Sequence, residues 1–334
     1  MVKSRKINVG ITIGDPNGIG IEIILKSLSD FNLFQECNFI IYSSLDLIKK
    51  QKQHFQIDTP PLTKTDSYED LSDTKINVKE VFTNSQFNFG KSDKELSELG
   101  ILSLKEAIKA IKGNKIDVLV TAPINKDLSY SNSFKYKGHT DFLKYYFSTN
   151  PLMLMISKEL KIALLTDHIP LKDVSTAITE NIVEQKIKAL ETCLIDDFQI
   201  KKPKIAVLAV NPHSGDNGVI GNEDQSIITP VVNSFKGSLS SVYGPFSADT
   251  FFANENYKKY DGVIASYHDQ GLIPFKTISF GKGVNFTAGL PIVRTSPDHG
   301  TGFDIAGKGI ADYTSFTNAI KLGIQVFKLR NNLD

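Results

Sequence analysis

Short apolar runs alternate with longer segments of helical periodicity along most of this chain. Six runs predict β-strands, and several are apolar almost throughout, as expected where helices cover both faces of a sheet. They lie at 7–13, 38–42, 117–121, 161–166, 204–210 and 262–267. Apolar residues at helical spacing predict helices at 20–28, 95–112, 180–197, 223–235 and 315–329. The repeated order of strand and then helix predicts an α/β fold with parallel or mixed sheets.

The segment 50–81 interrupts this alternation. It is polar, contains Pro60-Pro61 and is rich in Ser, Thr, Asp and Lys. We interpret it as a surface excursion rather than a linker between domains. The length of 334 residues suggests two domains, at roughly 150 residues per domain. No shift in composition marks a boundary between them.

Composition and charge exclude several classes of protein. Lys and Arg total 38 against 37 Asp and Glu, so nothing favours a basic nucleic-acid-binding face or a polybasic membrane surface. The two cysteines argue against a disulfide framework and a Cys-rich zinc site. No apolar run approaches the ~20 residues of a membrane span. The basic N-terminus and the run 7–13 lead into a turn rather than a signal-peptide cleavage site. We therefore expect a cytoplasmic protein without a nucleic-acid or membrane partner.

Three of the six histidines follow predicted strands. His168, His213 and His268 each lie one to three residues beyond an apolar run. In open α/β sheets, ligand sites collect at the carboxyl ends of strands. Three imidazoles can hold a divalent metal and leave positions open for substrate oxygens. The alternative is that each histidine is a polar residue bonded to a neighbouring carbonyl group. Spacing alone leaves both interpretations open.

Two glycine-rich segments and one arginine are further candidates for ligand contacts. The turn GDPNGIG at 14–20 lies between a strand and a helix, and either receives an anion or simply turns the chain and caps the helix. Arg294, one of three arginines, suits a phosphate or carboxylate, with a structural ion pair as the equal alternative. The segment 298–309 lets backbone approach a ligand closely but does not follow the Rossmann fingerprint.

Two further motifs lie at a helix start and a strand end. In Gly138-His139-Thr140-Asp141, Thr140 and Asp141 are candidates simply to cap the following helix. Lys126, at the end of TAPINK, is a candidate for contact with an anion.

Eight motifs carry a resemblance to a known family. They are GDPNGIG (14–20), TAPINK (121–126), GHT (138–140), DH (167–168), NPHSG (211–215), ADT (248–250), YHDQG (267–271) and DHGT (298–301). In this order they resemble the 4-hydroxythreonine-4-phosphate dehydrogenase family of pyridoxal 5′-phosphate biosynthesis. The resemblance spans essentially the whole chain and is weakest across 50–87. Asn17 and Ile21 stand where Ala and Pro are usual, which affects only the first turn.

The resemblance implies a fold and an assembly. It implies two α/β/α domains with mixed sheets, like the isocitrate and isopropylmalate dehydrogenases, with the active site in the interdomain cleft. The first domain would comprise 1–130 and 290–334 and carry the cofactor loop. The second, 131–289, would carry the metal ligands and the dimer interface. The expected assembly is a homodimer with metal ligands from both subunits.

The resemblance also implies which residues bind ligands. One divalent metal (zinc, cobalt or magnesium) would be held by His168 and His213 of one subunit and His268 of the other. The positions matching the ligands of the phosphorylated substrate are His139, Thr140, Lys276, Asn285 and Arg294. The loop after Asp298 is similar to the adenosine-binding loop of isopropylmalate dehydrogenases, which implies NAD, with NADP as an alternative. Its expected contacts are His299, Gly300, Asp304 and Gly307.

The implied reaction is the NAD-dependent oxidation of 4-phosphohydroxy-L-threonine, followed by loss of carbon dioxide. Lys276 and Asp249 are the candidates for the group that accepts the hydroxyl proton. A close alternative keeps this chemistry on a phosphorylated four-carbon sugar acid, threonate or erythronate 4-phosphate. Alternatives of a different class are a metal-dependent phosphate-ester hydrolase and a non-enzymatic protein that binds a phosphorylated metabolite.

Overall fold

The computed structural model describes residues 5–125, 134–136 and 138–333. The chain divides into two compact units. The first comprises Met1–Thr149 with Leu290–Phe327, and the second comprises Asn150–Gly289 with Lys328–Asp334.

Most strands are followed by a helix in chain order, and all six predicted strands are confirmed with small changes at their ends. The strands are β1 Ile7–Thr12, β2 Cys37–Ser43, β3 Leu62–Thr65, β4 Ile76–Glu80, β5 Val118–Thr121, β6 Leu152–Ile156, β7 Lys161–Leu164, β8 Lys204–Leu208, β9 Ser241–Phe246, β10 Gly262–Ala265, β11 Val284–Ala288 and β12 Val293–Pro297. The fold class is therefore α/β, as the alternating pattern predicts.

All five predicted helices are confirmed within two residues. The helices are α1 Gly20–Ser27, α2 Leu45–Phe55, α3 Lys94–Lys112, α4 His139–Phe147, α5 Val174–Ala177, α6 Glu180–Asp196, α7 Thr229–Ser234, α8 Ala248–Ala253, α9 His268–Ser279 and α10 Thr314–Arg330. The helix predicted at 223–235 is confirmed as one helical stretch, but its first part, Asp224–Ile228, is a π-helix that continues into α7. Pro230, which has no backbone N–H to donate, lies where the π-helix passes into α7.

The first unit contains a parallel sheet in the order β3-β4-β2-β1-β5-β12. Every residue of β1 is buried, which explains why the strand is apolar almost throughout. Leu104, Ile108 and Phe134 belong to the core of this unit. Within the described residues, no helix is both long and apolar enough to cross a bilayer.

The second unit contains a mixed sheet in the order β11-β6-β7-β10-β8-β9. β11, β6 and β7 pair antiparallel, whereas β7, β10, β8 and β9 pair parallel. Phe251, Val263 and Phe275 belong to its core. The parallel part gives β7, β10 and β8 a common carboxyl edge.

The segment 50–81 lies within the first unit, so it is not a linker between domains, but it contains regular structure that its polar composition does not predict. The end of α2 and the strands β3 and β4 lie in it, and β4 extends the sheet beyond β2. Ile76 and Val78 are buried, and so is Asn77, whose amide donates to the Phe39 carbonyl at 3.2 Å and the Ser72 carbonyl at 3.0 Å. These bonds satisfy a polar side chain inside the sheet, so the polar composition conceals a strand.

Candidate active site

The three strand-end histidines follow three neighbouring parallel strands. His168 follows β7, His268 follows β10 and His213 follows β8, in the sheet order β7-β10-β8. Their side chains therefore leave the same edge of the sheet. The rings of His168 and His268 have their centroids 5.8 Å apart.

Hydrogen bonds hold these strand ends together. Gln270, in the first turn of α9, accepts from the Ser266 backbone N–H at 2.7 Å and donates to the Ala209 carbonyl at 2.8 Å. Its amide therefore bridges the chain after β10 and the chain after β8. The Thr166 hydroxyl donates to the Ser266 carbonyl at 2.8 Å, which ties in the chain after β7. Gln270 lies in the YHDQG motif. The sequence does not predict that it bridges two strand ends, because that prediction requires the sheet order.

His268 is the first residue of α9 and has a specific partner. Its Nδ1 atom lies 2.7 Å from Asp269 Oδ1, and 41% of its side chain is exposed. The helix lies close to the sheet at Gly271, where an added Cβ would come within 2.7 Å of Leu164 Cδ2. A carboxylate on Nδ1 leaves Nε2 as the ring atom available to a ligand.

His213 lies in an unusual turn after β8. Its φ is 52°, and every residue from His213 to Asn217 has a left-handed backbone conformation. Four of these five residues are not glycine, so the turn is strained. The buried Asp224 carboxylate anchors the entry to this turn, accepting the backbone N–H groups of Val210 at 2.7 Å and Asn211 at 3.0 Å. Sequence reasoning missed Asp224, although a carboxylate inside an apolar helical pattern is a signal.

The donor set suits a divalent transition metal in kind, since imidazole nitrogen is a preferred ligand of zinc and cobalt. The described residues contain no group of three or more His, Cys, Asp or Glu side chains close enough together to hold a metal within one chain. His168 and His268 lie near each other, and the sharing of ligands between subunits stays a prediction.

Asp249, one of the two proton-acceptor candidates, is ionised. It is exposed in the first turn of α8, and the Ser247 hydroxyl donates to its Oδ1 atom at 2.7 Å. This bond and the Thr250 backbone N–H hold the pKa of Asp249 below its usual range, with a smaller contribution from His213. Hydrogen bonds to the charged form have this effect on a carboxylate.

Two predicted substrate residues belong to the second unit. Lys276 is exposed in the last turn of α9. Asn285 lies on β11, and its Oδ1 atom is shielded from solvent without a hydrogen-bond partner among the described residues. A buried acceptor without a partner is costly, so a ligand that donates an N–H or O–H group fits this atom.

Arg294 lies on β12 in the first unit and is only 2% exposed. Its Nη2 atom donates to the Thr121 hydroxyl at 2.5 Å. Thr121 ends β5, the neighbour of β12, and begins the TAPINK motif. Burial lowers the pKa of the Arg294 guanidinium to about 9, so the group is still protonated at neutral pH.

His139 and Thr140 begin α4 in the first unit. The residue before the helix is Gly138, and no side chain caps its N-terminus. The expectation that Thr140 or Asp141 caps this helix was therefore wrong, because both residues lie inside its first turn. Lys126 lies outside the described residues.

The four predicted cofactor residues lie in the segment that follows β12. His299 Nδ1 is 3.0 Å from the Gly300 carbonyl, and His299 Nε2 is shielded from solvent without a partner in the described part of the chain. Gly300 has open space where a Cβ would be, and Asp304 is exposed. Gly307 has a φ of 80°, a conformation that favours glycine. The orphaned imidazole nitrogen and the open glycine fit a bound ligand.

The turn at 14–20 supports this loop. Gly18 N–H donates to the Asp15 carbonyl at 3.0 Å, which closes the turn, and Ile19 N–H donates to the Thr301 carbonyl at 2.9 Å. A Cβ on Gly18 would lie 2.6 Å from the same carbonyl oxygen. The interpretation as a tight turn is confirmed, but no side chain caps α1.

The fold and these residues define an α/β protein with imidazoles at adjacent strand ends, a buried arginine and a glycine-rich loop after a strand. Such an arrangement is typical of an enzyme for a small anionic substrate. Comparison with known proteins identifies its family.

The family model "Pyridoxal phosphate biosynthetic protein PdxA" matches residues 35–323. A 4-hydroxythreonine-4-phosphate dehydrogenase of Bacteroides thetaiotaomicron is 40% identical, over 98% of this chain and 91% of that protein. A relative from Oceanobacillus iheyensis, provisionally named D-threonate 4-phosphate dehydrogenase, is 35% identical over 97% of this chain and 98% of that protein. The crystal structure of 4-hydroxythreonine-4-phosphate dehydrogenase from Klebsiella pneumoniae matches with a TM-score of 0.84 and 31% identity, covering 97% and 98% of the two chains. The chain belongs to the PdxA family and is an oxidoreductase.

Proposed function

We propose that this chain catalyses the NAD-dependent oxidation of 4-phosphohydroxy-L-threonine to 2-amino-3-oxo-4-phosphooxybutanoate. This product loses carbon dioxide to give 3-amino-2-oxopropyl phosphate, in pyridoxal 5′-phosphate biosynthesis in the cytoplasm. The observation that carries the proposal is the position of His168, His213 and His268 after three neighbouring parallel strands in a member of this family. The names of the relatives support the choice of substrate.

The three imidazoles are assigned to one divalent metal per active site, in a homodimer. His168 and His213 come from one subunit and His268 from the other. The metal is zinc, cobalt or, with a less suitable donor set, magnesium. When bound, it supplies Lewis-acid polarisation of the substrate oxygens. The bond from His268 Nδ1 to Asp269 supports Nε2 as the binding atom.

The phosphate end of the substrate is assigned to Arg294, Lys276, His139 and Thr140. A guanidinium binds phosphate through charge-assisted hydrogen bonds, which orient as well as attract. Asn285 Oδ1 takes a donor from the substrate, because it lacks one among the described residues.

The dinucleotide is assigned to His299, Gly300, Asp304 and Gly307, with NAD as the cofactor and NADP as the alternative. The shielded Nε2 atom of His299 and the open space at Gly300 support this assignment. A backbone without side chains lets a ligand approach closely.

Oxidation removes two groups from the secondary alcohol. When bound, the dinucleotide would supply the acceptor for the hydride from the carbinol carbon, and the hydroxyl proton would pass to a base. Lys276 and Asp249 are the candidates for that base. Asp249 is ionised at neutral pH and thus able to accept a proton, although its lowered pKa makes it a weak base.

A second candidate keeps the chemistry and changes the substrate. The Oceanobacillus iheyensis relative carries a name based on D-threonate 4-phosphate, in which a hydroxyl group replaces the amino group. Either group has a hydrogen to donate to Asn285 Oδ1, so the orphaned acceptor suits both substrates.

The metal assignment is tested with His213→Ala and a matched control, Asp216→Asn, in the same exposed turn. We expect His213→Ala to bind less divalent metal and to form NADH from 4-phosphohydroxy-L-threonine at least 100-fold more slowly, since removal of a ligand disrupts metal catalysis. Asp216→Asn should resemble the wild type. Unchanged NADH formation in His213→Ala would contradict the metal assignment.

A further inference from the structure

His54 is the one histidine with no role in the sites described above, and it contacts the cofactor loop. It lies in the last turn of α2, on the exposed side of that helix. Its Nε2 atom is 2.8 Å from the carbonyl oxygen of Gly307. Because a carbonyl oxygen only accepts, the imidazole donates this hydrogen bond through Nε2–H.

Aromatic rings pack beside this hydrogen bond. The His54 ring lies 4.9 Å from the ring of Phe55 and 4.9 Å from that of Phe89, measured between centroids. Phe87 packs on Phe89 at 4.8 Å. A Cβ on Gly307 would come within 2.6–2.9 Å of Phe89 atoms. The loop backbone at Gly307 therefore lies directly against Phe89 and is bonded to His54.

The next part of the loop is held by a different element, α1. Lys26 Nζ donates to the carbonyl oxygens of Gly309 and Ala311, each at 2.9 Å. The buried Glu22 carboxylate accepts the Ala311 backbone N–H at 2.9 Å. These contacts fix the end of the loop, whereas the contact with His54 acts two residues earlier, at one of the positions assigned to the dinucleotide.

We propose that His54 is a positioning residue for the dinucleotide: its hydrogen bond to Gly307 holds the loop backbone in the conformation that binds the cofactor. The inference rests on the proposed function, in which this loop binds NAD. His54 acts through Gly307 and need not contact the cofactor. Loss of the bond weakens dinucleotide binding and leaves the chemical step unchanged, because the loop must then be ordered at the expense of binding free energy.

Three variants separate the hydrogen bond from the ring. His54→Phe keeps an aromatic ring in the cluster and removes the donor, whereas His54→Gln restores a side-chain N–H. Lys49→Ala is the matched control, an exposed residue of the same helix. NADH affinity is measured by fluorescence titration, KM for NAD and kcat by NADH formation, and loop order by hydrogen–deuterium exchange of peptides from 299–311.

For His54→Phe we expect NADH affinity to fall and KM for NAD to rise by about threefold to tenfold, the range for one net hydrogen bond. kcat should stay within twofold and the loop should exchange faster. His54→Gln should recover affinity to within about twofold, and Lys49→Ala should match the wild type. Wild-type affinity, KM and exchange in His54→Phe would overturn the inference, as would a lower kcat with unchanged KM. Failure of the wild type to bind NADH would contradict the proposed function instead, and the exchange comparison would still decide whether His54 holds the loop.

Discussion

Replacement of Arg294 by methionine should separate stability from substrate binding. Burial disfavours the charged guanidinium of Arg294 and lowers its pKa to about 9. Burial of an apolar side chain of similar length removes that cost. Methionine also loses the hydrogen bond to Thr121, so we expect the free energy of unfolding of Arg294→Met, measured in urea, to change by less than about 2 kcal/mol.

Substrate affinity should change even though stability changes little. A charge-assisted hydrogen bond contributes roughly 1.5–3 kcal/mol, so titration calorimetry should show 4-phosphohydroxy-L-threonine binding about 10- to 150-fold more weakly to Arg294→Met. Arg330→Met is the matched control, because Arg330 forms an ion pair at 2.6 Å with the buried Asp197. It should lose about 3–5 kcal/mol of stability and keep its affinity. If Arg294→Met behaves like this control, Arg294 belongs to a structural ion pair and the phosphate assignment is refuted.

Two further variants test buried carboxylates. Burial raises the pKa of Asp15, so its carboxyl binds a proton more tightly in the folded than in the unfolded state. The stability that this group contributes is therefore lost as the pH rises above about 4. Asp15→Asn keeps an acceptor for the Asn17 N–H and removes the titrating group. The free energy of unfolding of Asp15→Asn minus that of the wild type should therefore increase from pH 4 to pH 7. A difference that does not change with pH would contradict the burial effect. Asp224→Asn weakens the hydrogen bonds that anchor the His213 turn. We expect the free energy of unfolding to fall by roughly 2–4 kcal/mol and zinc affinity to fall about 10- to 100-fold. Wild-type affinity for zinc would show that Asp224 does not position His213.

The sequence predicts the elements that are buried on both faces and misses those whose stability depends on distant partners. β1 and β8 are recognisable because their apolar runs reflect burial in the sheet. β3 and β4 are not, because the buried Asn77 is satisfied by a hydrogen bond to the Phe39 carbonyl on β2, and the polar β3 by its pairing with β4. Local composition does not contain that information.

The same division applies to the candidate site. The three strand-end histidines are visible as a repeated placement, and the sheet order then puts their strands side by side. The burial of Arg294 requires the pairing of β12 with β5, and the role of His54 requires α2 to lie beside the loop. Both depend on contacts across more than 170 positions of the sequence. The left-handed turn at His213 is likewise not predictable from glycine content, since four of its five residues carry side chains.

The central claim is tested most directly by NADH absorbance with purified protein, NAD, a divalent metal and 4-phosphohydroxy-L-threonine. D-threonate 4-phosphate is the parallel substrate, and a chelator is the control. The account predicts NADH formation that the chelator abolishes, with higher kcat/KM for 4-phosphohydroxy-L-threonine. NADH formation confined to D-threonate 4-phosphate would contradict the assigned substrate. Phosphate release without NADH would contradict dehydrogenase chemistry in favour of a hydrolase.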